Sequence, residues 1–408
     1  MADDLGCEGS ANVLGMRQWA LLASLYSTQY LGLNFFVVAL VAILRSEGAE
    51  LDTLGLVYML GLIWPLKLLW APMIDRFTIG RGGHFRGWLL LTQGLLVLLL
   101  LAIGRFDVID DFPLVYALCL AVALLAATQD IAVDGLACRL LPETRRGLGN
   151  GLQIAGGLAG NMVGGGLILM LYPQIGWAGC LTLLAALTAI SAVQLIGFEE
   201  PAWRRSGDAT GKLYRRMMVF WWQPGQRCWL GIILLVSASS GMAYAVLMPL
   251  LVDQGWGPAR IGLVVNVLGS IAGLVAALIS GWLMYRFSRR DALVLGVGFQ
   301  IIGITVLLLP AWGMTQAAAM GAIVYFLCYN PVSVVMAAMM MDRAAPQSAA
   351  TDFTLQFTSG QFAAIAAMSA GAPMAAHIGY GGVLGVALGT GSMALLLSVG
   401  LGRSRAAG

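Results

Sequence analysis

Apolar residues in this chain come in long unbroken runs, not in the alternating or 3.6-residue stripes of a water-soluble fold. Glycine, proline and clusters of charge punctuate them into twelve stretches. These are span 1 (18–44), span 2 (54–74), span 3 (87–104), span 4 (112–138), span 5 (148–172) and span 6 (177–198). The second set is span 7 (227–252), span 8 (259–284), span 9 (291–311), span 10 (315–341), span 11 (347–372) and span 12 (380–402). Each is near the roughly 20 apolar residues that carry a helix across a bilayer. The pattern predicts an all-α membrane protein with twelve transmembrane helices. The longest polar interruption divides them six and six. The expected organisation is an N-terminal segment 1–17, a six-helix bundle 18–198, a central loop 199–226, a second six-helix bundle 227–402 and a tail 403–408.

Composition agrees. Only 11% of the 408 residues are charged and 59% are hydrophobic, whereas soluble domains keep about a quarter of their residues charged. Most of the surface must therefore face lipid. The net charge of +3 says nothing about nucleic acid; what matters is where the basic residues lie. With both termini placed in the cytoplasm, that side holds 19 of the 23 lysines and arginines, and Arg45, Arg105 and Arg260 lie outside. Lys67 is left within span 2. The bias sets the expected orientation. The acidic start "MADDLGCEGSANVLGMRQW" has no basic n-region, so span 1 is read as retained and not as a cleaved signal. The cysteines (Cys7, Cys119, Cys138, Cys180, Cys228, Cys328) are scattered, and His84 and His377 lie far apart. Neither set has metal-ligand or disulfide spacing, and no metal or cofactor is expected.

An internal repeat fixes the architecture further. "LRSEGAELDTLGLV" (44–57) and "LVDQGWGPARIGLV" (251–264) align at an offset of 207. "MIDRFTIGR" (73–81) resembles "LMYRFSRRD" (283–291), and "GLQIAGG" (151–157) echoes "TLQFTSG" (354–360). An offset of six helices is even, so both copies enter the membrane in the same direction. This is a parallel repeat, not an inverted one.

Charge inside a bilayer costs at least roughly 2.5 kcal/mol per residue and defaults to a functional role with a named partner. Lys67 in span 2 faces that test, as do Asp130 and Asp134, four apart and so on one face of span 4. Two stacked carboxylates repel, and one of them, restrained by Lys67, could take up and release a proton. The competing reading is a structural ion pair between spans 2 and 4, with Arg139 tying down the second acid. Asp352, opening span 11, reads as a helix cap.

Uncharged polar and aromatic residues inside the spans form the expected lining of a cavity for a bulky, partly aromatic solute. They are Tyr26, Gln29, Tyr30 and Asn34 in span 1, Gln153 and Asn161 in span 5, Tyr244 in span 7 and Asn266 in span 8. Span 10 adds Tyr325, Tyr329 and Asn330, and span 11 adds Gln356 and Gln361. The alternative for each is an interhelical hydrogen bond. Gly156, Gly160 and Gly164, four apart, predict close approach of a neighbouring helix. No HExxH, carboxylate cluster or Ser/His pair suggests an enzyme.

The basic turns after spans 2 and 8 resemble the signature loop G-x-x-x-D-R-x-G-R-R of the major facilitator superfamily. Asp75, Arg76 and Arg81 carry the first copy. Gly281, Arg286, Arg289 and Arg290 carry the second, where Tyr285 replaces the acid. The expected use is a charge latch between helix ends. The antiporter motif of that family ends in Gly-Pro, but here Gly164 precedes Gly165, so antiport is not inferred. "LGLVYMLGLIWPLKLLWAPMIDRF", "RGWLLLTQ", "ATQDIAVDG" and "RGLGNGLQIAGG" together resemble the AmpG-type permease group of that superfamily. The group includes muropeptide permeases, acetyl-CoA transporters and the RhtX/FptX siderophore permeases. Chain length and "YSTQYLGLNFFVVALVAILR" in span 1 look most like the last. The resemblance implies an importer of a siderophore, ferric or iron-free, in a bacterial inner membrane; the span 4 acids add the expectation of proton coupling, and a monomer is the default expectation. Muropeptide transport is the alternative.

Overall fold

The computed structural model describes residues 14–46, 57, 60–80, 82–201 and 210–401. Every regular element among them is helical. Span 1 runs through Met16–Asn34, a π-helical turn Phe35–Leu40 and Val41–Ser46. Spans 3 and 4 are His84–Ile103 and Phe112–Leu140. Span 5 starts as Arg146–Gly160 and passes through a π-helical stretch Asn161–Leu167 into Ile168–Ile196, which also holds span 6. Spans 7, 9 and 10 are Gln226–Asp253, Arg289–Ala311 and Ala318–Arg343. Span 8 joins Pro258–Ile261, a π-helical stretch Gly262–Gly269 and Ser270–Leu283. Spans 11 and 12 share Ala349–Gly400.

Among the described residues, eight helical stretches are long and apolar enough to cross a membrane, and one of them, Glu143–Ile196, contains spans 5 and 6. Spans 1 and 2 are broken by non-α turns, and span 11 runs on into span 12. The two chain reversals are equivalent. Gly176 (φ 66°) separates spans 5 and 6, and Gly379 (φ 70°) separates spans 11 and 12. A side chain would be strained at either position. The same device at the same point of each half agrees with a parallel repeat.

Span 2 departs from the expected continuous helix. Its described part is a 3-10 turn Leu60–Leu62, a single α turn Ile63–Leu66, a second 3-10 turn Lys67–Leu69 and the helix Ala71–Arg76. Pro65 and Pro72 have no N–H to donate and crowd the preceding turn, which breaks the ladder around Lys67. The central loop departs the other way, forming a helix Thr210–Val219 and a 3-10 turn Phe220–Trp222.

The buried cores show how the halves meet. One cluster is shared: it joins Leu22, Tyr26, Phe85 and Leu136 to Trp229, Val297, Met340 and Phe353. It lies toward the basic end of the bundle, where the Arg-rich turns are. Two further clusters lie toward the far end, and each stays within one half. The first gathers Phe35, Leu100, Cys119 and Leu184, the second Leu247, Trp256, Leu307 and Val383. The halves are thus fused at the basic end and cored separately at the far end.

The fusion depends on glycine. A Cβ placed on Gly281 of span 8 would lie 2.6 Å from the Gly147 carbonyl oxygen, and one on Gly151 of span 5 would lie 2.8 Å from the Ala277 carbonyl oxygen. Gly156, Gly160 and Gly164 form a second close seam, where Cβ atoms would meet Tyr26, Tyr30 and Leu31 of span 1 at 2.9, 2.7 and 2.4 Å. The spacing of these three glycines did predict a close neighbour.

Candidate functional site

Lys67 sits where span 2 is broken between its two prolines. Its ammonium donates to Asp130 Oδ2 of span 4, and the two side chains are 0% and 1% exposed. The same ammonium lies over two aromatic rings, Trp64 at 5.7 Å and Phe357 of span 11 at 4.9 Å. Phe357 belongs to the other half, so the ion pair sits on the seam between the halves. One turn along span 4, Asp134 Oδ1 accepts from Gln153 Nε2 of span 5 at 2.8 Å, and the Tyr26 hydroxyl of span 1 stands beside the same carboxylate.

Arg139 does not tie down Asp134. Five residues along an α-helix is a rotation of about 140°, which turns Arg139 away. Its guanidinium lies 4.4 Å over the Phe85 ring and lines, with Arg145 and Arg146, a cavity of about 720 Å³ at the basic end. The partner of the second acid is Gln153.

Aromatic residues from both halves gather at the depth of this pair. Tyr30 stacks on Trp64 (5.5 Å, 28°), and Tyr329 stacks on Tyr325 (5.9 Å, 6°). Gly157 leaves room for the Tyr30 ring, which would lie 3.2 Å from a Cβ there. Next to it, Leu158 reaches across to Gly273, where Asn330 also packs. Tyr329 packs against both the shared core and the far-end core of its own half, which places it where the two separate.

The other expected lining residues fall into three groups. Tyr26 and Gln29 are 0% and 1% exposed; the Tyr26 hydroxyl faces the Asp134 carboxylate and the Gln29 amide faces Tyr30. A second group is spent on packing. The Tyr325 hydroxyl donates to the Ser240 carbonyl (3.0 Å) and Asn330 Nδ2 to the Phe326 carbonyl (2.6 Å). Gln356 accepts from Trp229 Nε1 and donates to the Met340 and Asp352 carbonyls. Tyr325 and Gln356 thus tie span 7 to spans 10 and 11, whereas Asn330 bonds back to a carbonyl of its own helix. The third group is open: Asn34, Asn161 and Gln361 are half-buried, and Tyr244 and Asn266 are exposed.

The basic end carries a latch larger than the signature loop. Asp75 accepts from the backbone N–H of Ala350 and Thr351 and from the Thr351 hydroxyl, at 2.7–3.2 Å, joining span 2 to span 11. Asp342, at the end of span 10, pairs with Arg146 of the first half (2.9 Å) and Arg289 of the second (2.7 Å). Arg289 also donates to the Glu143 carbonyl. Arg290 stays within its own half on the Val399 carbonyl, and Arg286 lies against Tyr285 and Trp282. Arg76 is exposed, and Arg81 lies outside the described residues. Asp352 accepts from Ala345 N–H and Ser348 Oγ in the turn before its own helix, as a capping residue does, and pairs with Arg216 (3.2 Å). Sequence reasoning passed over Asp342, Arg146 and Phe357; the only signal for Asp342 was an acid closing the apolar run "VVMAAMMMDR".

Asp75 lies just beyond span 2. Burial lifts its carboxyl from an ordinary value of 3.8 to about 6, against the opposing pull of Thr351 and Arg139. A carboxyl raised by a contact takes up a proton as the contact forms. The latch is therefore favoured fully below about pH 4 and loses that contribution as pH rises through 6. A fluorescence-transfer pair across spans 2 and 11 should show the basic end loosening over that window, and Asp75→Asn should flatten the profile.

An all-helical bundle with a parallel repeat, a charged seam at its middle and a latch at one end defines a two-lobed membrane carrier. The chain belongs to the major facilitator superfamily, whose family model matches residues 22–368. It is 30% identical over 350 residues to the anhydromuropeptide permease of Escherichia coli K12, covering 81% of this chain and 67% of that protein. It is 24% identical over 264 residues to the putative transporter AmpG 4 of Rickettsia felis, covering 62% and 64% of the two chains. Two solved structures share the fold. The major facilitator transporter FucP in the outward conformation matches with a TM-score of 0.69 at 12% identity, covering 95% of this chain and 99% of that one. A bacterial homologue of the iron transporter ferroportin in an outward-facing state matches at 0.66 and 17%, with the same coverage.

Proposed function

We propose that the chain is a permease for anhydromuropeptides, moving peptidoglycan fragments from periplasm to cytoplasm across a bacterial inner membrane. The observation that carries this reading is the 30% identity over 350 residues to the Escherichia coli anhydromuropeptide permease. The siderophore expectation rested on chain length and on the character of span 1, and no relative described above supports it. The muropeptide alternative takes its place.

In this reading the halves rock about the Lys67–Asp130 seam, with both termini cytoplasmic. The state described here is closed at the basic, cytoplasmic end. Tyr30 and Tyr329 present aromatic faces from opposite halves to the sugar rings, and Asp134, buried beside Asp130 and faced by Gln153 and Tyr26, is the proton-binding group. Purified protein in proteoliposomes should take up labelled anhydromuropeptide saturably when an inward proton gradient is imposed, and a ferric siderophore should not compete. Siderophore uptake without muropeptide uptake would reject the reading. Asp134→Asn should abolish gradient-driven accumulation while leaving substrate exchange across the membrane, which needs no net proton movement. Full accumulation in that variant would remove Asp134 from the coupling role.

A further inference from the structure

The helix Thr210–Val219 of the central loop lies across the seam between the halves. Its inner face carries Leu213, Met217 and then Phe220, all buried and spaced for one side of a helix. Met217 and Phe220 pack on Leu355 of span 11, with Leu68 and Tyr214 alongside. The Tyr214 hydroxyl donates to the Leu69 carbonyl of span 2 at 2.6 Å, and Arg216 pairs with Asp352 of span 11. The helix therefore holds spans 2 and 11 together just where the Asp75 contact does.

Among the described residues, no helix packs over the outer face. Arg215 and Val219 are exposed, and so are Met218 (66%) and Trp222 (71%). Arg227, in the first turn of span 7, lies 4.5 Å over the Trp222 ring. From Thr210 to Cys228 the chain contains four basic residues and no acid. Apolar side chains and an indole flanked by arginines, at the level where spans 2, 7 and 11 leave the membrane, match the surface of a helix lying in the headgroup layer.

We propose that this helix is a lipid-held strap. Its inner face closes the span 2–span 11 seam, and its outer face, through Arg215, Arg227, Met218 and Trp222, binds anionic lipid headgroups. Anionic lipid then favours closure of the basic end. The inference does not depend on which solute the protein carries.

Amide exchange of residues 210–222 in nanodiscs tests it with the full chain. Replacing about a third of the phosphatidylcholine by phosphatidylglycerol should slow exchange there about tenfold, since each basic residue near an anionic surface contributes appreciably to binding. Arg215→Glu with Arg227→Glu should remove the lipid effect while exchange in spans 3 and 9 stays unchanged. If that variant does not fold, raising salt on the wild-type protein should erase the difference between the two lipids. Equal exchange in both lipids, or a lipid effect that survives charge reversal or high salt, overturns the proposal.

Discussion

Lys67→Met is expected to destabilise the protein by about 3–5 kcal/mol, because it leaves the Asp130 carboxylate buried and unpaired. No other charged partner of Asp130 stands within ion-pair distance among the described residues, and its side chain is 1% exposed. Adding Asp130→Asn to Lys67→Met should recover most of the loss, since a neutral pair in this packed seam has no charge left to desolvate. Thermal denaturation in detergent of the two singles and the double measures both effects. If Lys67→Met melts like wild type, the pair is not the buried, mutually dependent unit described here.

The second large effect concerns closure. Gly281→Leu would drive a side chain into the Gly147 carbonyl, which stands 2.6 Å from where its Cβ must go. The obstacle is backbone and cannot swing aside. Overpacking of this kind costs roughly 1–3 kcal/mol, so the closed-to-open ratio should fall about five- to 150-fold. The clash exists only when spans 5 and 8 meet, so the bundle itself should still fold. A cysteine at Ala350, buried in the closed seam, should change from resistant to reactive toward a membrane-impermeant thiol reagent once the native cysteines are replaced. Transport should fall in step. Unchanged labelling would mean that the Gly147–Gly281 contact does not hold the end shut.

Much of this architecture was legible from sequence because bilayer physics leaves few choices. The spans follow from apolar length, and the pairing of Lys67 with a span 4 acid follows from the cost of leaving any of them alone. Gly156, Gly160 and Gly164 announced a close neighbour because only glycine permits one, though not that the neighbour would be span 1. What stayed hidden depends on rotation about helix axes. Nothing in the residue order said that Gln153 would reach Asp134 while Arg139 turned toward Phe85. Nor did it say that Gln356 and the Tyr325 hydroxyl would be consumed by Trp229 and Ser240. A polar residue in a span advertises a partner; it does not say whether the partner is a neighbouring helix or a solute. The Asp342 bridge was invisible for a related reason, since Arg146 and Arg289 come from different halves and meet only when the basic end closes. The strap was missed because its ten helical residues lie in a polar stretch too short to read as a span.

In the proposed cycle the two fused halves separate at the basic end to pass a solute along the charged seam. Spin labels at Arg76 and Phe287, both exposed at that end on opposite halves, measure it directly by pulsed dipolar spectroscopy. Anhydromuropeptide with an inward proton gradient should shift the distribution from a short distance toward a longer one, and in Asp134→Asn the shift should no longer depend on the gradient. A single distance, unmoved by substrate in protein that demonstrably binds it, would rule out that separation.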